Sequence, residues 1–102
     1  MLQLIEHHRA DLDVLCRRHH VDRLELFGSA VTGEFDPAVS DLDFLVEFMP
    51  LTPEGRADAY FGLLHGLEDL FRRKIDLVTT QAIRNRWFAQ AVDRQRTLLY
   101  AA

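Results

Sequence analysis

Apolar side chains recur along this chain with two periods, and the two periods divide it into predicted helices and strands. A spacing of three and four residues is typical of one face of a helix. It occurs across residues 2–19, where the members of the pattern are Ile5, His8, Leu12 and Leu15. It occurs again after Thr52 and Pro53, a threonine cap followed by a proline that fits the first helical turn. The apolar positions of this second predicted helix are Ala57, Tyr60, Phe61, Leu64, Leu67, Leu70 and Phe71.

Shorter runs, either apolar or strictly alternating, predict strands between and after these helices. The predicted strands are residues 23–27, 41–48, 75–78 and 97–100, the last of them an edge strand. A further helix is predicted from about residue 81 to residue 92. Gly62 and Gly66 lie one turn apart in the second helix, and we expect them to allow close packing of that helix on the sheet.

The segment of residues 24–48 carries most of the candidate chemistry. Its first strand stops at Gly28 and Ser29. A glycine permits a tight turn and a close approach of backbone to a ligand, and a serine is a good cap for the short helix predicted at residues 30–33. A helix that begins directly after a strand presents N–H donors and a positive dipole end, which suit a phosphate group.

The strand that follows this turn carries two carboxylates. Asp41 and Asp43 lie two residues apart in an alternating run, so they share one face of the strand at roughly 7 Å along the backbone. Carboxylate oxygens are hard ligands of the kind that Mg²⁺ prefers. Asp76, on the next predicted strand, is a candidate third carboxylate. A phosphate-binding turn followed by such carboxylates favours metal-assisted phosphoryl or nucleotidyl transfer.

The glycines, serines and aspartates of these segments form one ordered motif: Gly28, Ser29, Gly33, Ser40, Asp41, Asp43 and Asp76. This motif resembles that of the DNA polymerase beta-type nucleotidyltransferase superfamily over roughly residues 21–100. The chain length and closing segment resemble its small members, the minimal nucleotidyltransferase (MNT) antitoxins. The resemblance implies an α+β nucleotidyltransferase fold, a small mixed sheet with helices packed against it, in a single domain of residues 1–102. The predicted alternation of strands and helices agrees with this.

The resemblance also implies a role for each member of the motif. The nucleotide-binding residues are Gly28, Ser29, Gly33 and Ser40. Asp41 and Asp43 bind Mg²⁺, as two ions, while Asp76 binds the catalytic metal and helps to deprotonate the attacking hydroxyl. In-line attack on the α-phosphate of ATP then releases pyrophosphate.

One feature departs from the family pattern. Many relatives carry an arginine between the serine and the second glycine, where this chain has Ala30, Val31 and Thr32. A missing cation weakens the binding of a triphosphate, and the basic residues that are candidates to replace it are Arg72, Arg73, Lys74, Arg84 and Arg86. Because all three carboxylates remain, the sequence favours an active site over a decayed one.

The resemblance implies a partner as well, a HEPN-family toxin that receives AMP on a tyrosine hydroxyl. Two other hypotheses stay open. In the first, the chain is a catalytically weak binding module that neutralises the toxin by complex formation, with contact groups at Phe48, Met49 and Leu51 near the site and at Trp87 and Phe88. In the second, which the short chain disfavours, it transfers a nucleotide to a small molecule.

Composition narrows these hypotheses further. The chain has 102 residues and a net charge of −4, with the acidic excess in its first half, so we expect no direct binding of nucleic acid. A single cysteine, Cys16, excludes an internal disulfide and favours helix packing over a nucleophilic role. No apolar run reaches the roughly 20 residues of a membrane span, and no signal-peptide pattern is present, so we expect a cytoplasmic protein.

Overall fold

The computed structural model describes residues 3–28, 41–80 and 96–102. In these ranges the elements are α1 (Gln3–His7), α2 (Arg9–Arg18), β1 (Val21–Phe27), β2 (Leu42–Phe48), α3 (Pro53–Phe71), β3 (Ile75–Thr79) and β4 (Thr97–Ala101). The helices predicted at residues 30–33 and 81–92 lie outside the described residues. None of the helices in the described ranges is long and apolar enough to cross a membrane.

The four strands form one mixed sheet in the order β3-β2-β1-β4. β1 runs antiparallel to both of its neighbours, β2 and β4, whereas β2 and β3 are parallel. A parallel pair needs a long crossover, and α3 supplies it between β2 and β3. The mixed sheet with helices packed on it confirms the predicted α+β fold, and β4 lies at an edge as predicted.

One face of the sheet packs against the helices and forms the main core. Phe44 of β2 stacks on Phe71 at the end of α3, with ring centroids 5.9 Å apart. Ile5 and Leu12 close the same core from the N-terminal helices. The sheet residues buried in it at alternate positions of β1 and β2 include Leu24, Leu26, Leu42, Phe44 and Val46. These alternate positions therefore fix which side of each strand faces the helices.

The other side of the sheet, which we call the carboxylate face, carries the remaining alternate positions. Phe27 pairs with Asp43, and Asp43 pairs with Asp76, so these three residues stand side by side on β1, β2 and β3. Behind them Leu45 packs with Phe27 and Val78 in a second, smaller apolar cluster. β2 is therefore buried on both faces, and its carboxylate stands at the rim of an apolar patch.

The prediction of one continuous helix over residues 2–19 was wrong, because the helix breaks at His8. The backbone of His8 has φ −110° and ψ 16°, outside the helical range. Its imidazole meets the ring of Phe71 edge to face, with centroids 5.4 Å apart. Packing against the end of α3 thus overrides the local helical pattern.

The start of α3 was predicted correctly, and most of its apolar stripe was as well. Thr52 caps the helix, since its Oγ1 accepts a hydrogen bond of 3.0 Å from the backbone N–H of Gly55. Five members of the predicted stripe lie in or against the main core: Tyr60, Leu64, Leu67, Leu70 and Phe71. The other two, Ala57 and Phe61, are exposed, and the prediction missed the buried Ala59 and Leu63.

The glycines of α3 allow a close approach of α2, and the expectation that they pack on the sheet was wrong. A Cβ at Gly62 would stand 2.5 Å from Cε1 of His19, and a Cβ at Gly66 would overlap the side chain of Leu15. Both neighbours belong to the N-terminal helical segment. The two glycines therefore set the distance between α2 and α3 across the face of the sheet.

Cys16 is fully buried in the core. Burial, with a smaller contribution from the charge of Asp13, raises the pKa of its thiol to about 12. A thiol in this state is not a nucleophile at neutral pH. This agrees with the predicted packing role.

Because Gly66 contacts Leu15, the effect of Gly66→Ala on the free energy of unfolding should depend on the side chain at position 15. In the otherwise unchanged protein, Gly66→Ala should destabilise by roughly 1–2 kcal/mol, because the new methyl overlaps Leu15. In a Leu15→Ala background the overlap is gone, and the higher helix propensity of alanine should make the same change neutral or stabilising by up to about 1 kcal/mol. Urea unfolding of the four proteins measures both values. A cost of Gly66→Ala that is equal in the two backgrounds would contradict this helix contact.

Candidate active site

The candidate site lies where β1 ends and where β2 and β3 begin. Because β1 is antiparallel to β2, its last residue, Phe27, stands beside Asp43 near the start of β2. Because β3 is parallel to β2, Asp76 near its own start stands on the other side of Asp43. Asp41 directly precedes β2 and is exposed. The topology thus brings residues from three strands together at one end of the sheet, where β1 ends and where β2 and β3 begin.

Gly28 follows β1 in a conformation that favours glycine. Its φ is +75°, in the left-handed region. A Cβ at this position would overlap Oδ2 of Asp43. The predicted tight turn is present, and the group beside it in the structure is the Asp43 carboxylate. Any larger residue here would displace Asp43.

Asp43 and Asp76 form a carboxyl pair on adjacent strands. Asp43 is half-buried and Asp76 is exposed. The pKa of Asp43 is raised to about 6, first by burial, then by the charges of Asp76 and Asp41, and last by a side-chain hydrogen bond with Asp76. Asp43 therefore holds a proton mainly below about pH 6 and is mostly ionised at neutral pH, where it stands beside Asp76 and repels it. A bound cation would relieve the same repulsion.

The pair fits Mg²⁺ better than an all-protein metal cage. In residues 3–28, 41–80 and 96–102, no group of three or more His, Cys, Asp or Glu side chains is arranged to hold a metal ion. Mg²⁺ is commonly held by only one or two carboxylates, with waters and substrate phosphates completing its shell. Asp43 and Asp76 supply such a pair. The predicted phosphate-binding residues Ser29, Gly33 and Ser40 lie outside the described residues.

Sequence reasoning missed a charged cluster on the carboxylate face. Glu25 is buried, at 4% exposure, and binds two arginines. Its Oε1 lies 3.0 Å from Nε of Arg23, and its Oε2 lies 3.1 Å from Nε of Arg96. The only signal was a glutamate inside an otherwise apolar part of β1. Nothing in the sequence pattern connected it to Arg96, which is distant along the chain.

The predicted partner-contact residues are not near the carboxylates. Phe48, Met49 and Leu51 line a cavity of about 540 Å³ at the far end of β2. A strand advances about 3.3 Å per residue, so Phe48 lies roughly 17 Å from Asp43. The prediction placed them near the site because Asp43 and Phe48 belong to one short segment. Trp87 and Phe88 lie outside the described residues.

The raised pKa of Asp43 predicts how stability depends on pH without metal. Its ordinary pKa is 3.8 and its folded value is about 6, so the stability it contributes is present below 3.8 and is lost as pH rises through about 6. Asp43→Asn, which cannot ionise, should be more stable than the unchanged protein above about pH 7, by roughly 1 kcal/mol after solvent screening.

Urea unfolding in EDTA between about pH 4 and pH 8 measures this difference. The advantage of Asp43→Asn should grow with pH and level off above about pH 7. Asp69→Asn, at an exposed position on α3, is the control for the loss of one negative charge. A pH-independent difference, or one that matches the control, would contradict a strained carboxyl pair.

Known proteins share this fold. Three solved structures resemble the chain: a protein described as a minimal nucleotidyltransferase (28% identity, TM-score 0.67, covering 94% of this chain and 95% of that chain); a toxin–antitoxin complex with AMP-PNP (22%, 0.66, 99% and 75%); and a complex of a tri-AMPylated Shewanella oneidensis HEPN toxin with an MNT antitoxin (20%, 0.63, 95% and 72%).

The sequence was also compared with known proteins and families. The comparison with curated proteins found no match. The family model of the nucleotidyltransferase domain matches residues 11–100. That range includes the turn after β1 and the starts of β2 and β3, which form the candidate site. The chain therefore belongs to the nucleotidyltransferase domain family.

Proposed function

We propose that this protein is a Mg²⁺-dependent nucleotidyltransferase that acts as the antitoxin of a HEPN/MNT pair, by transferring AMP from ATP to a tyrosine hydroxyl of its partner toxin. The observation that carries the proposal is the Asp43–Asp76 pair beside Gly28. A carboxyl pair strained by its own repulsion, next to a backbone turn, is the arrangement that a metal–polyphosphate complex requires.

The residues of the chain divide the chemistry between them. Asp43 and Asp76 hold the cation, which when bound neutralises phosphate charge and acidifies a hydroxyl. Asp76, exposed near the start of β3, accepts the proton of the attacking tyrosine hydroxyl. The tyrosine oxygen forms a bond to the α-phosphorus, and the bond from that phosphorus to the bridging oxygen of pyrophosphate breaks. Gly28, without a side chain, leaves room for the Asp43 carboxylate beside the turn.

The proposed partner rests on the fold. Two of the similar structures are toxin–antitoxin complexes, and one of them contains a tri-AMPylated HEPN toxin. This likeness supports transfer to a partner chain over transfer to a small molecule.

A second candidate function is neutralisation by binding alone, and a surface feature favours it. Met49 and Phe61 are 38% and 55% exposed. Each lines one of two cavities that share Phe48 and Arg56 as walls, at the opposite end of β2 from the carboxylates. Clustered exposed apolar side chains often mark a protein-binding surface. If this surface alone silences the toxin, the carboxylates are dispensable.

The two candidates make opposite predictions for carboxylate variants. The partner toxin, incubated with this protein, Mg²⁺ and ATP, should gain the mass of one or more AMP groups. Asp43→Asn and Asp76→Asn should each lower the rate by about a hundredfold or more, because each removes a ligand of the cation. Intact-mass spectrometry measures the modification, and Asp69→Asn is the control that should retain it.

Neutralisation of the toxin in cells completes this experiment. Under the proposal, toxicity returns with Asp43→Asn and Asp76→Asn, although both variants remain folded by circular dichroism. If both variants still neutralise the toxin and no nucleoside triphosphate adds mass, the protein acts by binding alone.

A further inference from the structure

The Glu25 cluster, formed by Glu25, Arg23 and Arg96, holds two cations at one buried carboxylate. The Arg23 side chain is 48% exposed and that of Arg96 is 37% exposed, so both guanidinium groups reach solvent from a buried anchor. With two positive charges and one negative charge, the cluster is net positive. It contrasts with the negative charge at the starts of β2 and β3.

The cluster lies on the same face of the sheet as the carboxyl pair. Glu25 pairs with Leu45, whose alternate neighbour on β2 is Asp43, so the two acidic side chains point to one side. Arg96 directly precedes β4, and its side chain reaches Glu25 from there. The next residue, Thr97, pairs with Leu26. Adjacent strands are about 4.8 Å apart, so the Arg96 backbone lies roughly 10 Å from that of Asp43.

The two arginines differ in their distance from the site. Arg96 enters beside the end of β1, where Phe27 pairs with Asp43. The backbone of Arg23 lies four residues before Phe27 on β1, roughly 13 Å further from the end of the sheet that carries Asp43. Both guanidinium groups meet the same Glu25 carboxylate, but only the Arg96 backbone stands at the end of the sheet where Asp43 lies, so Arg96 is the arginine that can extend towards a ligand there.

The geometry of in-line transfer sets the direction in which such a ligand extends. Asp76 lies on β3, which is at the edge of the sheet in the part of the chain that the structure describes. An acceptor that meets Asp76 approaches from that edge. The attacking and leaving oxygens stand on opposite sides of the α-phosphorus, so the pyrophosphate group points away from β3, across β1 towards β4.

We propose that Arg96, positioned by Glu25, binds the β- and γ-phosphates of the nucleoside triphosphate. This deepens the proposed function and rests on it. The guanidinium supplies a cation, and the sequence Ala30, Val31 and Thr32 contains none. It stabilises the charge that develops on pyrophosphate as the bond to the α-phosphorus breaks. Glu25 is a positioning residue, since it acts through Arg96.

A purely structural cluster predicts a different outcome. In that case each arginine only neutralises the buried Glu25, Arg23 from within β1 and Arg96 from the residue before β4, and the loss of either leaves the carboxylate with one partner fewer. Phosphate recognition separates them, because the backbone of Arg23 lies farther from the carboxyl pair than that of Arg96. The pair of variants Arg96→Ala and Arg23→Ala is therefore matched: each removes one arginine from the same buried glutamate.

The experiment is isothermal titration calorimetry of the folded full chain with Mg²⁺-ATP, Mg²⁺-tripolyphosphate and AMP. Arg96→Ala should weaken both triphosphate ligands by about tenfold or more and AMP by less than about twofold, since AMP lacks the terminal phosphates. Arg96→Lys should recover part of the loss. Arg23→Ala should bind all three ligands as the unchanged protein does.

Glu25→Gln tests the positioning role in a double-mutant cycle. It should weaken binding of Mg²⁺-ATP when Arg96 is present and have little further effect in the Arg96→Ala background. A variant that lowers ATP and AMP affinity equally has lost its structure, not a phosphate contact.

Three results would overturn the assignment of Arg96. The first is equal triphosphate affinity in the unchanged protein and Arg96→Ala, which leaves the proposed function standing. The second is an equal loss in Arg96→Ala and Arg23→Ala, which makes the cluster structural. The third is a folded, unchanged protein that binds no nucleoside triphosphate and no tripolyphosphate, which overturns the nucleotidyltransferase proposal together with this one.

Discussion

The fold holds two carboxyl groups side by side on neighbouring strands, although their charges repel each other, and the rest of the structure maintains this arrangement. Asp43 and Asp76 are direct partners in the parallel ladder of β2 and β3, so neither can move away without a change of register. Burial and mutual repulsion raise the pKa of Asp43 to about 6. The Mg²⁺ ion that we propose for this site would remove the repulsion that the fold enforces.

Packing in the main core stabilises the fold against the repulsion between the two carboxyl groups. Alternate residues of β2 pack under the helices, with Phe44 stacked on Phe71, so the register that joins Asp43 to Asp76 is also the register that buries the core. Gly66 lets α2 approach α3 closely over the same layer. On the carboxylate face, the Glu25 cluster joins β4 to β1 and places a positive charge opposite the acidic edge.

Local patterns predicted the features that depend on neighbouring residues. The alternation of residues 41–48 predicted the strand, apart from Asp41, which lies just before it, and Thr52 with Pro53 predicted the start of α3. Features set by distant contacts could not be predicted in this way. The break at His8 depends on Phe71, the partner of Gly66 is Leu15, and the guanidinium of Arg96 meets Glu25 from another strand. No local pattern encodes these contacts.

The most direct test of the central claim is a carbon-13 NMR titration of the aspartate carboxyl groups with and without Mg²⁺. The account predicts that Asp43 titrates near its raised pKa of about 6 in EDTA and that saturating Mg²⁺ lowers this pKa, because the cation favours the ionised carboxylate. An Asp43 that titrates at its ordinary pKa of 3.8, or one whose titration is the same with and without Mg²⁺, would contradict a strained carboxyl pair that binds metal.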